Sequence, residues 1–76
     1  MIFDEVKEIL VEQLGIDENT VELSSNLIDD LGADSLDAID IVMSVEDQYS
    51  IEVPDEVIEN MKTVEDIVSF IESKTE

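Results

Sequence analysis

The sequence predicts an all-α fold: a small four-helix bundle with a long connection between helix I and helix II and a short third helix. Three observations carry this. Apolar residues recur at three- and four-residue spacing in separate stretches, each with a start or stop signal. Nothing alternates with period two for long enough to demand a sheet. The length, 76 residues, suits a single domain spanning 1–76, which hides only roughly 60% of the surface its unfolded chain exposes. Such a domain has room for one hydrophobic seam and little for a deep enclosed pocket.

The first helix is expected over about residues 2–14. Phe3, Val6, Ile9, Leu10 and Leu14 share a face, and Gly15 follows where a C-terminal cap belongs. Residues 16–34 lack sustained periodicity and are rich in Asp, Asn, Ser and Thr, which makes them a long loop of a kind that is often functional. Val21, Leu23, Leu27, Ile28 and Leu31 are expected to pin it to the core, with room for one short helical turn. Asp34 is placed to cap a second helix from Ser35 to about Tyr49, with Asp37 in its first turn. Pro54 and Asp55 start a short third helix that turns Val57, Ile58 and Met61 inward. Thr63 to Asp66 resembles a capping box, and Val64, Ile67, Val68 and Ile71 form the apolar stripe of a last helix over about 64–73.

The second helix carries two apolar faces. At about 100° per residue, Ala38, Ile41, Val42, Val45 and Tyr49 gather on one side as the core stripe. Leu36 and Met43 fall opposite, with Ile39 at the flank; Asp40 and Asp47 share that outer face and Glu46 borders it. Either the bundle wraps this helix more fully, with the third helix covering the second stripe, or the face is a docking site. In a docking site the apolar anchors supply affinity and the acidic rim supplies approach rate and partner choice.

Charge narrows the function classes. Twenty-two acids against three Lys or Arg, with no histidine, leave −19. Such a surface repels phosphate backbones and anionic lipid, so nucleic-acid binding and membrane insertion are not expected, and partners should present basic surfaces. The absence of cysteine removes disulfides, thiolate metal sites and a protein thiol nucleophile. Oxygen ligands suit hard cations, but residues 29–40 lack the ligand, glycine and terminal bidentate Glu of an EF-hand loop. No specific metal site is expected, only weak divalent-cation binding at carboxylate clusters. With no membrane span and no signal or transit peptide in view, a monomer in the cytoplasm is expected, or in an organelle matrix if a transit peptide has been removed.

"LGADSLDAID" sets Ser35 among Asp34, Asp37 and Asp40. A serine nucleophile normally needs a positioned base, most often histidine, and the chain has none. Carboxylates are weak bases unless desolvated, and an oxyanion hole would work poorly in this negative field. No catalytic residue is assigned, and the chain is not expected to be an enzyme. Three readings of the hydroxyl remain: a helix cap, a small residue merely tolerated at a helix start, or a site that another protein modifies.

The segment "LGADSLDAIDIVMSVEDQY" resembles the attachment segment of acyl carrier proteins, whose DSL serine bears 4′-phosphopantetheine. The tripeptide alone would be a weak signal. However, a first helix ending at Gly, a long loop, LGADSL, an acidic second helix, the "VPDE" turn and a capped last helix appear in order over nearly all of the chain. The resemblance implies a free-standing carrier of dissociated fatty-acid synthesis, holding acyl intermediates as thioesters on a covalent 4′-phosphopantetheine arm derived from coenzyme A. It implies Ser35 as the attachment site, with Asp34 and Leu36 completing the recognition tripeptide. Asp37, Asp40, Glu46 and Asp47 match acidic docking positions, and Leu36, Ile39 and Met43 apolar ones. The implied partners are a Mg²⁺-dependent phosphopantetheinyl transferase and acyl-processing synthases, reductases, dehydratases and acyltransferases. In this family the acyl chain can withdraw between the helices, which makes Val42, Val45, Val57, Ile58, Met61 and Ile67 lining candidates; plain core packing is the other reading of each. Two positions depart from the commonest pattern, in which Asp40 is usually Glu and Ile41 usually Leu. Polyketide or other specialised acyl carriers share the motif, and an unmodified acidic interaction module is the alternative from another class.

Overall fold

The computed structural model describes residues 2–75. It contains α1 (Ile2–Leu14), α2 (Ser35–Tyr49), α3 (Asp55–Asn60) and α4 (Val64–Thr75), with a 3-10 turn at Glu18–Thr20 inside the first connection. Among the described residues the backbone is helix, turn and loop, with one isolated antiparallel bridge between Asn26 and Thr63.

One seam of side chains holds α1, α2 and α4 together. Val6, Ile9 and Leu10 of α1, Ile41 and Val45 of α2, and Val64, Ile67, Val68 and Ile71 of α4 form its centre. Each fully buried aliphatic chain contributes roughly 1.5–3 kcal/mol. Polar links between α1 and α2 flank the seam: Gln13 Nε2 donates to Ser44 Oγ at 3.0 Å, and the Tyr49 hydroxyl donates to the Glu5 carboxylate. Burial, reinforced by the hydrogen bond and charge of Glu5, pushes the Tyr49 phenol up to about 12.

The helix ends follow from local chemistry. Gly15, at φ 65°, terminates α1 in the left-handed region, and its N–H donates to Val11 O at 2.9 Å. Ser50 ends α2 at φ 55° and ψ 46° without the freedom of glycine. Its N–H and that of Ile51 both reach Glu46 O. At the start of α4 the capping box forms with Asp in its third position: the Asp66 N–H donates to Thr63 Oγ1, and the Thr63 N–H to Asp66 Oδ2 at 3.0 Å. The Lys62 N–H, a second donor to the same oxygen at 2.9 Å, is the largest cause holding the Asp66 carboxyl below its usual range. The resulting stability is present above the ordinary carboxylate value and is lost as pH falls through the lowered one.

The first connection is ordered by backbone pairing as much as by burial. The Leu27 N–H donates to Lys62 O at 2.9 Å, Val64 to Ser25 O at 3.1 Å and Glu65 to Leu23 O at 2.9 Å. Residues 23–27 therefore lie against the end of the α3–α4 link and the first residues of α4. Asn26 Oδ1 accepts from the Ile28 and Asp29 N–H groups, and Asp30 Oδ2 accepts from the Asn26 N–H, closing a helix-like turn. Val21, Leu27 and Leu31 anchor the loop in the core as expected. Leu23 and Ile28 correct the expectation, being exposed at 41% and 57%: the pairing that holds Leu23 uses its carbonyl, and the turn after Asn26 carries Ile28 outward. Ala38 departs too. It is half-buried outside the core cluster, because the first turn of α2 stands clear of the seam.

Two outcomes are expected here. Ser50→Gly should stabilise the domain by about 0.5–1 kcal/mol in urea denaturation by relieving the left-handed strain; a neutral or lower midpoint would refute that account. Tyrosinate absorbance, which reads Tyr49 alone because the chain has one Tyr and no Trp, should titrate near 12. A phenol raised in the folded state adds stability that is complete below its ordinary value of about 10 and lost as pH climbs towards 12, so Tyr49→Phe should remove that alkaline slope.

Candidate functional site

The loop delivers Ser35 to a defined place. Gly32, at φ 75°, ends the turn of residues 28–31 in a conformation that L side chains rarely adopt, and buried Ala33 fixes the next step. Asp34 then sits extended at φ −104° and ψ −174° as the N-cap. Its Oδ1 accepts from the Asp37 N–H at 2.9 Å, and Asp37 Oδ2 accepts from the Asp34 N–H at 3.2 Å. This reciprocal capping box spares Ser35 from the capping role left open above. Its side chain is exposed, and Oγ makes no hydrogen bond among the described residues. The hydroxyl stands free at the head of a fifteen-residue helix with no imidazole anywhere in the chain to take its proton. It is therefore suited to be acted upon.

The outer face of α2 keeps its apolar anchors in solvent. Leu36 is 72% exposed, Met43 56% and Ile39 43%. Asp40 and Asp47 are exposed beside them. The other two acids on this side have internal work. Asp37 belongs to the capping box, and half-buried Glu46 accepts from the Val53 N–H through Oε2 at 2.9 Å, holding the α2–α3 link. The face is thus a row of three apolar side chains flanked by two structural carboxylates and by two that make no hydrogen bond among the described residues.

A groove of about 570 Å³ runs between the first turns of α2, the loop turn and the end of α3. Ser35, Ala38 and Ile39 form one wall, Asn26, Ile28 and Asp29 another, and Ile58, Glu59, Met61 and Lys62 the third. Its volume is that of an ordinary small-molecule site. Of the six residues proposed for acyl lining, Ile58 and Met61 border this groove. Val45 and Ile67 lie in the core cluster, Val42 is buried outside it, and Val57 is half-buried. Sequence reasoning missed Asn26, Ile28, Asp29, Ala38, Glu59 and Lys62 as groove residues. Exposed Ile28 was the available signal, since an apolar side chain left in solvent on an ordered turn needs a surface to join.

Among the described residues, no group of three or more His, Cys, Asp or Glu side chains is arranged to hold a metal ion. Asp30, Asp34 and Asp37 are instead committed to backbone N–H groups. No helix of the described residues is long and apolar enough to cross a membrane.

Comparison with known proteins meets this geometry. A family model described as a phosphopantetheine attachment site matches residues 4–71. Proteins named acyl carrier protein are similar over nearly the whole chain. That of Clostridium acetobutylicum is 46% identical across 76 residues, covering 100% of this chain and 99% of the relative. That of Bdellovibrio bacteriovorus is 49% identical across 73, covering 96% and 94%. That of Helicobacter hepaticus is 51% identical across 71, covering 93% of each. With an attachment-site match spanning the loop, α2 and the groove, and such relatives along its full length, the chain belongs to the acyl carrier protein family.

Proposed function

We propose that Ser35 is the attachment point of a covalent 4′-phosphopantetheine arm, and that the protein carries acyl intermediates on the arm's thiol between the enzymes of fatty-acid synthesis. The observation that carries this is the free, exposed hydroxyl at the head of α2, inside the stretch matched by the attachment-site family. The arm supplies the sulfur that a chain without cysteine lacks, and a thioester on it activates the carboxyl carbon and acidifies the α-carbon.

Each residue has a defined part in this reading. Asp34 and Asp37 close the cap, so that Ser35 Oγ is presented without being consumed by the helix. Installing the arm would join Oγ to the pantetheinyl phosphorus as a phosphodiester, break the pyrophosphate link of coenzyme A and release adenosine 3′,5′-bisphosphate as the leaving group. The hydroxyl proton leaves to a base on the transferase, which also brings the Mg²⁺. Leu36, Ile39 and Met43 supply contact area to visiting enzymes, and Asp40 and Asp47 draw in their basic surfaces. Glu46 serves docking only through what its link to Val53 leaves free. An acyl chain would enter past Ile58 and Met61 and reach Val42, Val45, Val57 and Ile67 by parting the helices. The chain itself catalyses no step. The cytoplasm is the compartment this reading assigns, in keeping with bacterial relatives.

Incubation with coenzyme A, Mg²⁺ and a broad-specificity phosphopantetheinyl transferase should raise the intact mass by one prosthetic group, and Ser35→Ala should gain nothing. No gain under conditions that load another carrier would favour an unmodified acidic interaction module instead. On the docking face, Asp40→Lys and Met43→Ala should each weaken productive encounter with an acyl-processing enzyme by at least about fivefold, or roughly 1 kcal/mol, with the helical circular dichroism unchanged. Loss of fold in Met43→Ala would contradict the exposure of that side chain.

A further inference from the structure

The three lysines are not equivalent. Lys7 Nζ lies 5.1 Å from the Phe3 ring centroid and Lys74 Nζ 5.5 Å from that of Phe70, each over a ring of its own helix. Lys62 lies over no ring and makes no close ion pair among the described residues. Its charge acts only at longer range on the exposed Asp66 carboxylate, as the smallest of the causes that lower that group's value. Lys62 is exposed and is the one cation bordering the groove that Ser35 also borders.

The placement of Lys62 is built in by the backbone. Its N–H is fixed by the Asp66 carboxylate at 2.9 Å, and its carbonyl by the Leu27 N–H at 2.9 Å. The pairing that closes the groove's loop wall thus also roots this side chain at its rim, leaving the ammonium on a flexible four-carbon stem. The other charged residues lining the groove, Asp29 and Glu59, are acidic, and Asp34 and Asp37 adjoin Ser35 in the sequence. A phosphodiester on Ser35 would be repelled by all of them, and a cation at the rim is what offsets that repulsion locally.

We infer that Lys62 is the counter-ion of the phosphodiester on Ser35, and that this contact seats the near end of the arm in the groove against Ile28, Ile39 and Ile58. The inference rests on Ser35 being the attachment site. Lys62 is accordingly a positioning residue: it sets how the arm is divided between a seated state and a solvent-extended state. Because the ammonium is exposed, the contact weakens with salt.

The test uses full-length protein with ¹³C-labelled lysine, before and after loading with phosphopantetheine, with the mass gain checked first. Loading should displace the side-chain resonance of Lys62 and leave those of Lys7 and Lys74 in place. The displacement should shrink between about 0.01 M and 1 M salt, as the Debye length falls from roughly 30 Å to 3 Å. Amide shifts that loading induces at Asn26 and Ile58 should fall by more than half in Lys62→Gln. They should persist in Lys62→Arg and in Lys74→Gln, which has the same net charge as Lys62→Gln. Failure of the wild type to gain mass would overturn the attachment site and the inference together. A full mass gain with Lys62 unmoved, or with all three lysines moved alike, would overturn the inference alone.

Discussion

Three hydrogen bonds tie residues 23–27 to Lys62 and to the first two residues of α4, and they govern the rest of the architecture. An irregular connection of this length would ordinarily remain loose, since each ordered residue costs about 1–2 kcal/mol of backbone entropy. Here the donors of Leu27, Val64 and Glu65 meet carbonyls across the gap, while Val21, Leu27 and Leu31 sink into the core. Those contacts fix where Gly32 turns the chain, hence where Asp34 caps α2 and where Ser35 emerges. The groove is the space enclosed beside the same pairing, and for that reason its walls come from three separate stretches of sequence.

Much of the helical framework was legible because its signals are local. Asp34, Gly15 and the Thr63–Asp66 pair are cap residues whose chemistry acts within one turn, and all three sit where that chemistry places them. The last helix runs on to Thr75, two residues past the expected end, since no stop signal follows Ser73. The two-faced character of α2 was also readable from spacing, because helical geometry alone separates Leu36 and Met43 from Ile41 and Val45. The loop was less legible. Backbone pairing between distant segments leaves no side-chain pattern, so Leu23 and Ile28 were expected inside when their neighbours' carbonyls and amides do the anchoring. For the same reason the groove could be read only in part. Ile58 carried an inward-facing signal, whereas Asn26 and Lys62 join it through a fold that brings residues 26 and 62 together.

Charge and burial divide the surface between them. A net −19 disfavours compaction through self-repulsion, and several carboxylates are turned to structural use that offsets this. Asp17, Asp30, Asp34, Asp37, Glu46 and Asp66 each accept a backbone N–H. Asp40 and Asp47, which hold no such bond, lie on the face where Leu36 and Met43 remain in water. On that face the exposed acids are thus those that accept no backbone N–H among the described residues.

Ser35 occupies the first position of α2, ahead of the ladder in which each N–H answers a carbonyl four residues earlier. Nothing in the framework leans on its oxygen. A cargo hung there would add weight outside the truss, so that laden and empty forms could share one scaffold. On the proposed attachment at Ser35, loading and unloading would leave the capping bonds of α2 untouched.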